Sequence, residues 1–201
     1  MVVIGLTGKT GSGKSSICKK LKSKGFYIID TDKIAKEIVQ KGMPALKKLQ
    51  KVFGEKILNE EGTLNRKFLA EKAFSSEENR QKLNNATHSF ITEKVRLEIE
   101  NAKKKNFNFC VIDAAVLLES ECKNFCDYIA VISCEKSERL KRIMKRDNLD
   151  EESANKRIDA QKSDEYYLEN ADIIIMNEEG SNLEKECERI FEFLEGKNEN
   201  I

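Results

Sequence analysis

Short runs of β-branched and aromatic residues recur along the chain, separated by longer stretches in which apolar residues return every three or four positions. The runs at 2–7, 26–30, 107–113, 128–133 and 171–176 are almost continuously apolar. That is the pattern of strands buried on both faces. The periodic stretches between them predict helices over 14–24, 33–40, 135–146, 151–162 and 182–194. Strands alternating with helices imply an α/β fold, with a five-stranded parallel sheet covered on both faces.

The alternation breaks once, over residues 31–106, where the signals are mostly helical. Pro44, the single proline, follows Gly42 and suits the first turn of a helix. Residues 77–105 form a long periodic run that includes Leu83, Ala86, Phe90, Ile91, Val95 and Ile99. A crossover between parallel strands needs only about a dozen residues. The surplus therefore reads as a helical insertion, either a lid or a substrate-binding region. The polar tail, 196–201, is expected to fray.

Composition narrows the class. A chain of 201 residues with 39% apolar content can build one good core and a subdomain. Charged residues make up 35%, yet the formal net charge is only +1, which argues against a general nucleic-acid binder. No apolar run approaches the roughly 20 residues of a membrane span, and the start of the chain lacks the basic leader of a signal peptide. A cytoplasmic protein is expected, with no obligate protein partner. The six cysteines are scattered and there is one histidine, so reduced structural thiols are expected rather than disulfides or a metal site.

The chemistry begins at the first turn. Residues 8–15, GKTGSGKS, match G-x-x-x-x-G-K-[ST] in full, after an apolar run and before a helical pattern. The glycines let successive amides converge on an anion, and the helix that follows adds its N-terminal partial charge. Gly8, Gly11, Ser12, Gly13, Lys14, Ser15 and Ser16 are the candidate contacts to a nucleoside triphosphate. Lys14 would reach the β- and γ-phosphates, and Ser15 would ligate Mg²⁺. The late strand is followed by Asn177-Glu178-Glu179-Gly180, not by the N-K-x-D of a guanine-specific switch, and a motor ATPase normally needs a larger chain. A small kinase fits best. A nucleotide-dependent switch protein and a nucleoside or nucleotide kinase are the alternatives.

A kinase needs a base, a cation partner and mobile charge over the phosphates. The second strand ends in IIDTD, so Asp30 and Asp32 fall at its carboxyl end, where doubly wound sheets bind ligands. Each could instead cap the next helix. Asp113, at the end of the third strand, could bind Mg²⁺ or serve as a cap. Arg139, Arg142 and Arg146 are spaced to share one helix face. They would form either a solvated surface or a lid laid over the transferring group, which Arg157 could join.

Ordered motifs carry a resemblance over about residues 3–195: GLTGKTGSGKSS, GFYIIDTDKIAKEIV, KGMPAL, FGEKIL, GTLNRKFLAEKAF, THSFI, IDAAVLLE, RLKRIMKRD, RIDAQ and ADIIIMNEEG. The chain resembles the dephospho-CoA kinase family. The resemblance implies a three-layer P-loop fold with β1 central, and transfer of the ATP γ-phosphoryl group to the ribose 3′-hydroxyl of dephospho-CoA. It divides the chain into a core (1–30, 107–134, 163–196), a CoA-binding insertion (31–106) and a lid (135–162). It makes Asp32 the base, Arg142 and Arg146 lid cations acting in catalysis with Lys14, and Asn177 a neighbour of adenine. Arg66, His88, Leu117 and Leu118 fall where the acceptor is expected. The chain departs from the family at Lys9-Thr10 (usually Gly-Ile), Ser89 (usually proline), Ala115-Val116 (usually Pro-Leu) and Leu118 (usually phenylalanine). The first of these adds a cation near the phosphates.

Overall fold

A computed structural model describes residues 1–198. The chain forms two compact units. One is Met1–Ile29 together with the chain from residue 101 onward, and the other is Asp30–Glu100.

The first unit is built on a five-stranded parallel sheet of β1 (Val2–Gly8), β2 (Tyr27–Asp30), β3 (Phe109–Asp113), β4 (Tyr128–Ser133) and β5 (Ile173–Met176). The strand order is β2-β3-β1-β4-β5. β1 is therefore central. The chain passes from it to β2 on one side, and later from β3 to β4 on the other. Ligands of such sheets bind at the carboxyl ends of the strands where the order reverses, which here is the end of β1. Register aligns Leu6 with Asp113 on one side and Gly8 with Ile132 on the other.

Alternation along the strands sorts the two faces. Ile4, Leu6, Ala130, Ile132, Ile173 and Ile175 pack with Ile17 and Leu21 of α1 (Lys14–Ser23) and with Cys187, Ile190 and Leu194 of a C-terminal helix. On the other face Val131 packs with Leu118 and Tyr167. Gly5 also faces that way. A Cβ there would collide with the Leu117 side chain and lie 2.8 Å from Cys126 Sγ, so glycine allows this layer to close.

The second unit holds α2 (Thr31–Glu37), α3 (Pro44–Phe53), α4 (Arg66–Ala73) and most of α5 (Glu77–Lys104). Pro44 opens α3, as expected. α2 starts two residues before the sequence-based boundary because Asp30 caps it, accepting from the Lys33 amide at 2.9 Å. α4 was not foreseen; Asn65 caps it, accepting from the Phe68 amide at 3.0 Å. Ala45, Leu49, Leu69, Ala86 and Val95 are buried, while Phe74 is exposed.

The remaining helices belong to the first unit: α6 (Lys136–Asp147), α7 (Glu151–Asp159), α8 (Asp164–Glu169) and α9 (Leu183–Asn198). α7 ends three residues before its expected limit. The short α8, also unforeseen, starts at a Ser163 cap. α9 continues through 196–198, which were expected to fray, since its buried stripe ties it to the sheet. Residues 199–201 lie outside the described residues. Among the described residues no helix is long and apolar enough to cross a membrane.

Candidate active site

The loop between β1 and α1 is shaped by what surrounds each glycine. Gly11 and Gly13 have φ of +81° and +88°, which side chains rarely adopt. A Cβ on Gly11 would lie 2.8 Å from the Arg139 carbonyl oxygen, so the start of α6 touches the loop backbone. A Cβ on Gly13 would overlap the Asn177 amide. That amide donates through Nδ2 to the Ser12 carbonyl at 2.7 Å, and the Asn177 N–H donates to Ser133 at 2.9 Å. Asn177 is buried and fastens the loop to the ends of β4 and β5.

Gly13 caps α1 without a side-chain hydrogen bond, and the first turn has no acidic residue. The Ser12 and Ser16 amides are satisfied within the loop by Lys9 and Gly13. Those of Gly11, Gly13, Lys14 and Ser15 have no protein acceptor among the described residues. Four donors at an uncapped helix N-terminus favour an anion, and this is the fit expected for a polyphosphate. Lys14 reaches across to pair with Asp113, and both side chains are largely buried. The Cys18 thiol donates to the other Asp113 oxygen at 3.1 Å.

Ser15 and Asp113 present a hydroxyl and a carboxylate, hard oxygen donors of the kind Mg²⁺ takes in small number beside phosphate oxygens and water. Among the described residues no cluster of three or more His, Cys, Asp or Glu could hold a metal without such help. The chemistry of Ser15 and Asp113 fits a Mg²⁺ whose remaining ligands are phosphate oxygens and water.

The three arginines of α6 part company. Arg139 is fully buried and its Nη2 donates to Asp164 at 3.2 Å. The Arg142 guanidinium reaches the loop, with Nη1 3.4 Å from where a Gly13 Cβ would stand, and is held by Glu138 at 3.1 Å. Arg146 forks onto Asp147 at 2.8 and 2.7 Å, and Asp147 also takes Arg157 at 2.6 Å. The Arg146 guanidinium holds the Asp147 carboxyl below the usual carboxylate range. Lys9 was expected to add a cation near the phosphates, but its ammonium turns to Asp164 at 3.3 Å.

In the second unit Asp30 is occupied as the α2 cap, while Asp32 sits exposed in the first turn of that helix. Arg66 is exposed and donates to the Lys36 carbonyl at 3.4 Å, and His88 is half-buried on α5. Leu117 and Leu118 are buried in the core of the first unit, anchoring the short turn Leu117–Glu119, so their side chains do not line an open surface. Sequence reasoning assigned no role to Gln161 or Cys18. The RIDAQ run marked the former only as part of a motif.

A glycine loop at the switch point of a parallel sheet, with a lysine and a hydroxyl at the mouth of the next helix, defines a P-loop nucleotide-binding protein. The dephospho-CoA kinase family model matches residues 2–182. A dephospho-CoA kinase of Corynebacterium efficiens is 42% identical over 177 residues, 88% of each chain, and one of Bacillus cereus is 38% identical over the same span. A dephospho-CoA kinase structure from Campylobacter jejuni superposes with a TM-score of 0.62 at 31% identity, covering 94% of this chain and 95% of that one. A Bacteroides thetaiotaomicron shikimate kinase, at 15% identity and a TM-score of 0.53 over 96% and 98% of the two chains, shares the fold. The chain belongs to the dephospho-CoA kinase family, and it is a transferase that moves phosphate to a hydroxyl.

Proposed function

We propose that the enzyme transfers the γ-phosphoryl group of ATP to the ribose 3′-hydroxyl of dephospho-CoA, giving coenzyme A and ADP. The observation that carries the ATP half of this reading is the set of four unpaired amides at Gly11, Gly13, Lys14 and Ser15, and the family match over residues 2–182 supports the acceptor. Those amides bind the phosphates, and Lys14 exchanges Asp113 for the β- and γ-oxygens. Asp32 accepts the proton of the 3′-hydroxyl as its oxygen attacks the γ-phosphorus and the bond to the bridging oxygen of ADP breaks. Arg142 neutralises the charge that develops on the equatorial oxygens, and Arg146 joins it from the same helix when its pairing with Asp147 is released. Ser15 and Asp113 would hold Mg²⁺, which would supply further charge neutralisation.

Asn177 borders the adenine side of the loop in this reading. Arg66 and His88 bind the acceptor, and the turn that holds the buried Leu117 and Leu118 borders it through its backbone. Residues 31–106 bind the CoA moiety and 135–162 serve as the lid. The substrates are small molecules; no nucleic acid, membrane or protein partner takes part. Six cysteines outside any disulfide support a cytoplasmic location.

The test is ADP release measured across dephospho-CoA, AMP, cytidylate and nucleosides. Turnover stimulated only by dephospho-CoA is expected. Stimulation by a nucleotide instead would make this a nucleotide kinase, and no stimulation by any acceptor would make it a switch. Asp32→Asn is expected to lower kcat by roughly 10²–10⁴ while ATP still binds; near-normal turnover would remove Asp32 from the base role.

A further inference from the structure

The outer side of the phosphate loop is held at three successive residues, each by a different group from the chain between α6 and α8. Lys9 pairs through Nζ with Asp164 at 3.3 Å. The Thr10 N–H donates to Gln161 Oε1 at 2.8 Å. Gly11 lies against the Arg139 backbone, leaving no room for a Cβ. Asp164 binds Lys9 with one carboxylate oxygen and the buried Arg139 with the other. Arg139 Nε and Nη1 have no partner among the described residues, so Asp164 is the charged group that compensates this guanidinium. Asp164 is thereby kept in place, and Gln161, three residues before it, is kept opposite Thr10.

We propose that Gln161 is a positioning residue for phosphoryl transfer. By accepting the Thr10 N–H it pins the outer limb of the loop, so that the amides of Gly11, Gly13, Lys14 and Ser15 point inward before a nucleotide arrives. The physical basis is preorganisation: donors already aimed need no rearrangement when charge develops, and a loop free to turn its amides outward loses that advantage. The Thr10 amide is taken by Gln161 rather than left open like its neighbours, and so serves as the anchor. The pairing also couples the loop to the stretch that leaves α7, so a lid that moves carries one end of the anchor with it.

The proposal rests on the loop being the phosphate cradle, so its test reads ADP binding, which is independent of the acceptor. Gln161→Met keeps the length of the side chain and removes the accepting oxygen. Gln161→Glu keeps an accepting oxygen on a side chain of the same length. Gln161→Met is expected to weaken ADP binding by calorimetry and to lower kcat, each by about five- to tenfold, with KM for the acceptor unchanged. Gln161→Glu is expected to stay within about twofold of the parent protein in ADP affinity. A Gln161→Met protein that binds ADP and turns over like the parent, or that loses activity only in proportion to its folded fraction, overturns the assignment. So does a Gln161→Glu protein as impaired as Gln161→Met. Tight ADP binding with no turnover on dephospho-CoA in the parent protein would instead count against the proposed acceptor and leave the anchor testable by affinity alone.

Discussion

Gly13 carries two constraints, a φ of +88° and the Asn177 amide packed where a Cβ would go. Gly13→Ala is therefore expected to abolish measurable ADP binding, read by calorimetry. Combining it with Asn177→Ala would relieve the overlap without relieving the backbone strain, so the double variant should remain impaired. Recovery to parental affinity in the double variant would mean that overlap alone excludes a side chain at 13. The motif marks Gly13 from sequence, but the reason for it comes partly from Asn177, over 160 residues away, which spacing could not reveal. Asp164 gives the complementary case. Its loss strips a buried guanidinium of its counter-charge, and since Asp164 is itself half-exposed, Asp164→Asn is expected to cost about 1–3 kcal/mol in chemical denaturation. A denaturation midpoint equal to the parent's would show that water satisfies Arg139.

At the scale of elements, α6 and α7 are tied by Asp147, which takes the Arg146 fork and Arg157 together. The hydrogen bond from Arg146 lowers the Asp147 pKa in the folded protein. The contribution is thus present above the ordinary aspartate value of about 3.9 and is lost as pH falls through the lowered value. Thermal melts of the parent and Asp147→Asn should differ most near neutral pH and converge in acid, once Asp147 is protonated in the folded protein too. A gap that persists or widens in acid would show that the pairing does not stabilise the folded state. The arginine spacing on α6 was legible in the sequence, but the separate fates of Arg139, Arg142 and Arg146 were not. A periodicity of three and four places side chains on one face without saying which of them meets a loop, a carboxylate or the core. Helices α4 and α8 escaped notice for a related reason. They are short, and their caps at Asn65 and Ser163 precede runs too brief for a clear period.

Across the whole molecule the six cysteines are thiols outside any disulfide, five of them buried. Burial pushes Cys126 up to about 12 and also raises Cys134 and Cys187. Because the thiolate is the reacting form, disulfide reagents at pH 8 should modify the native protein slowly, whereas all six thiols should react at once in denaturant. A fast native burst at Cys126, the half-buried one, would contradict the raised thiol. The α/β alternation, the long helical interruption and the phosphate loop were determined by the sequence alone, because each is local: a period, a surplus of chain, or a motif whose glycines and lysine act within one turn. The central place of β1 and the pairing of Lys14 with Asp113 were decided by the tertiary structure, as was the clasp of Asn177, Gln161 and Asp164 around the loop. These join residues far apart in the chain, and only the register of the sheet and the packing of its helices bring them within reach of a hydrogen bond.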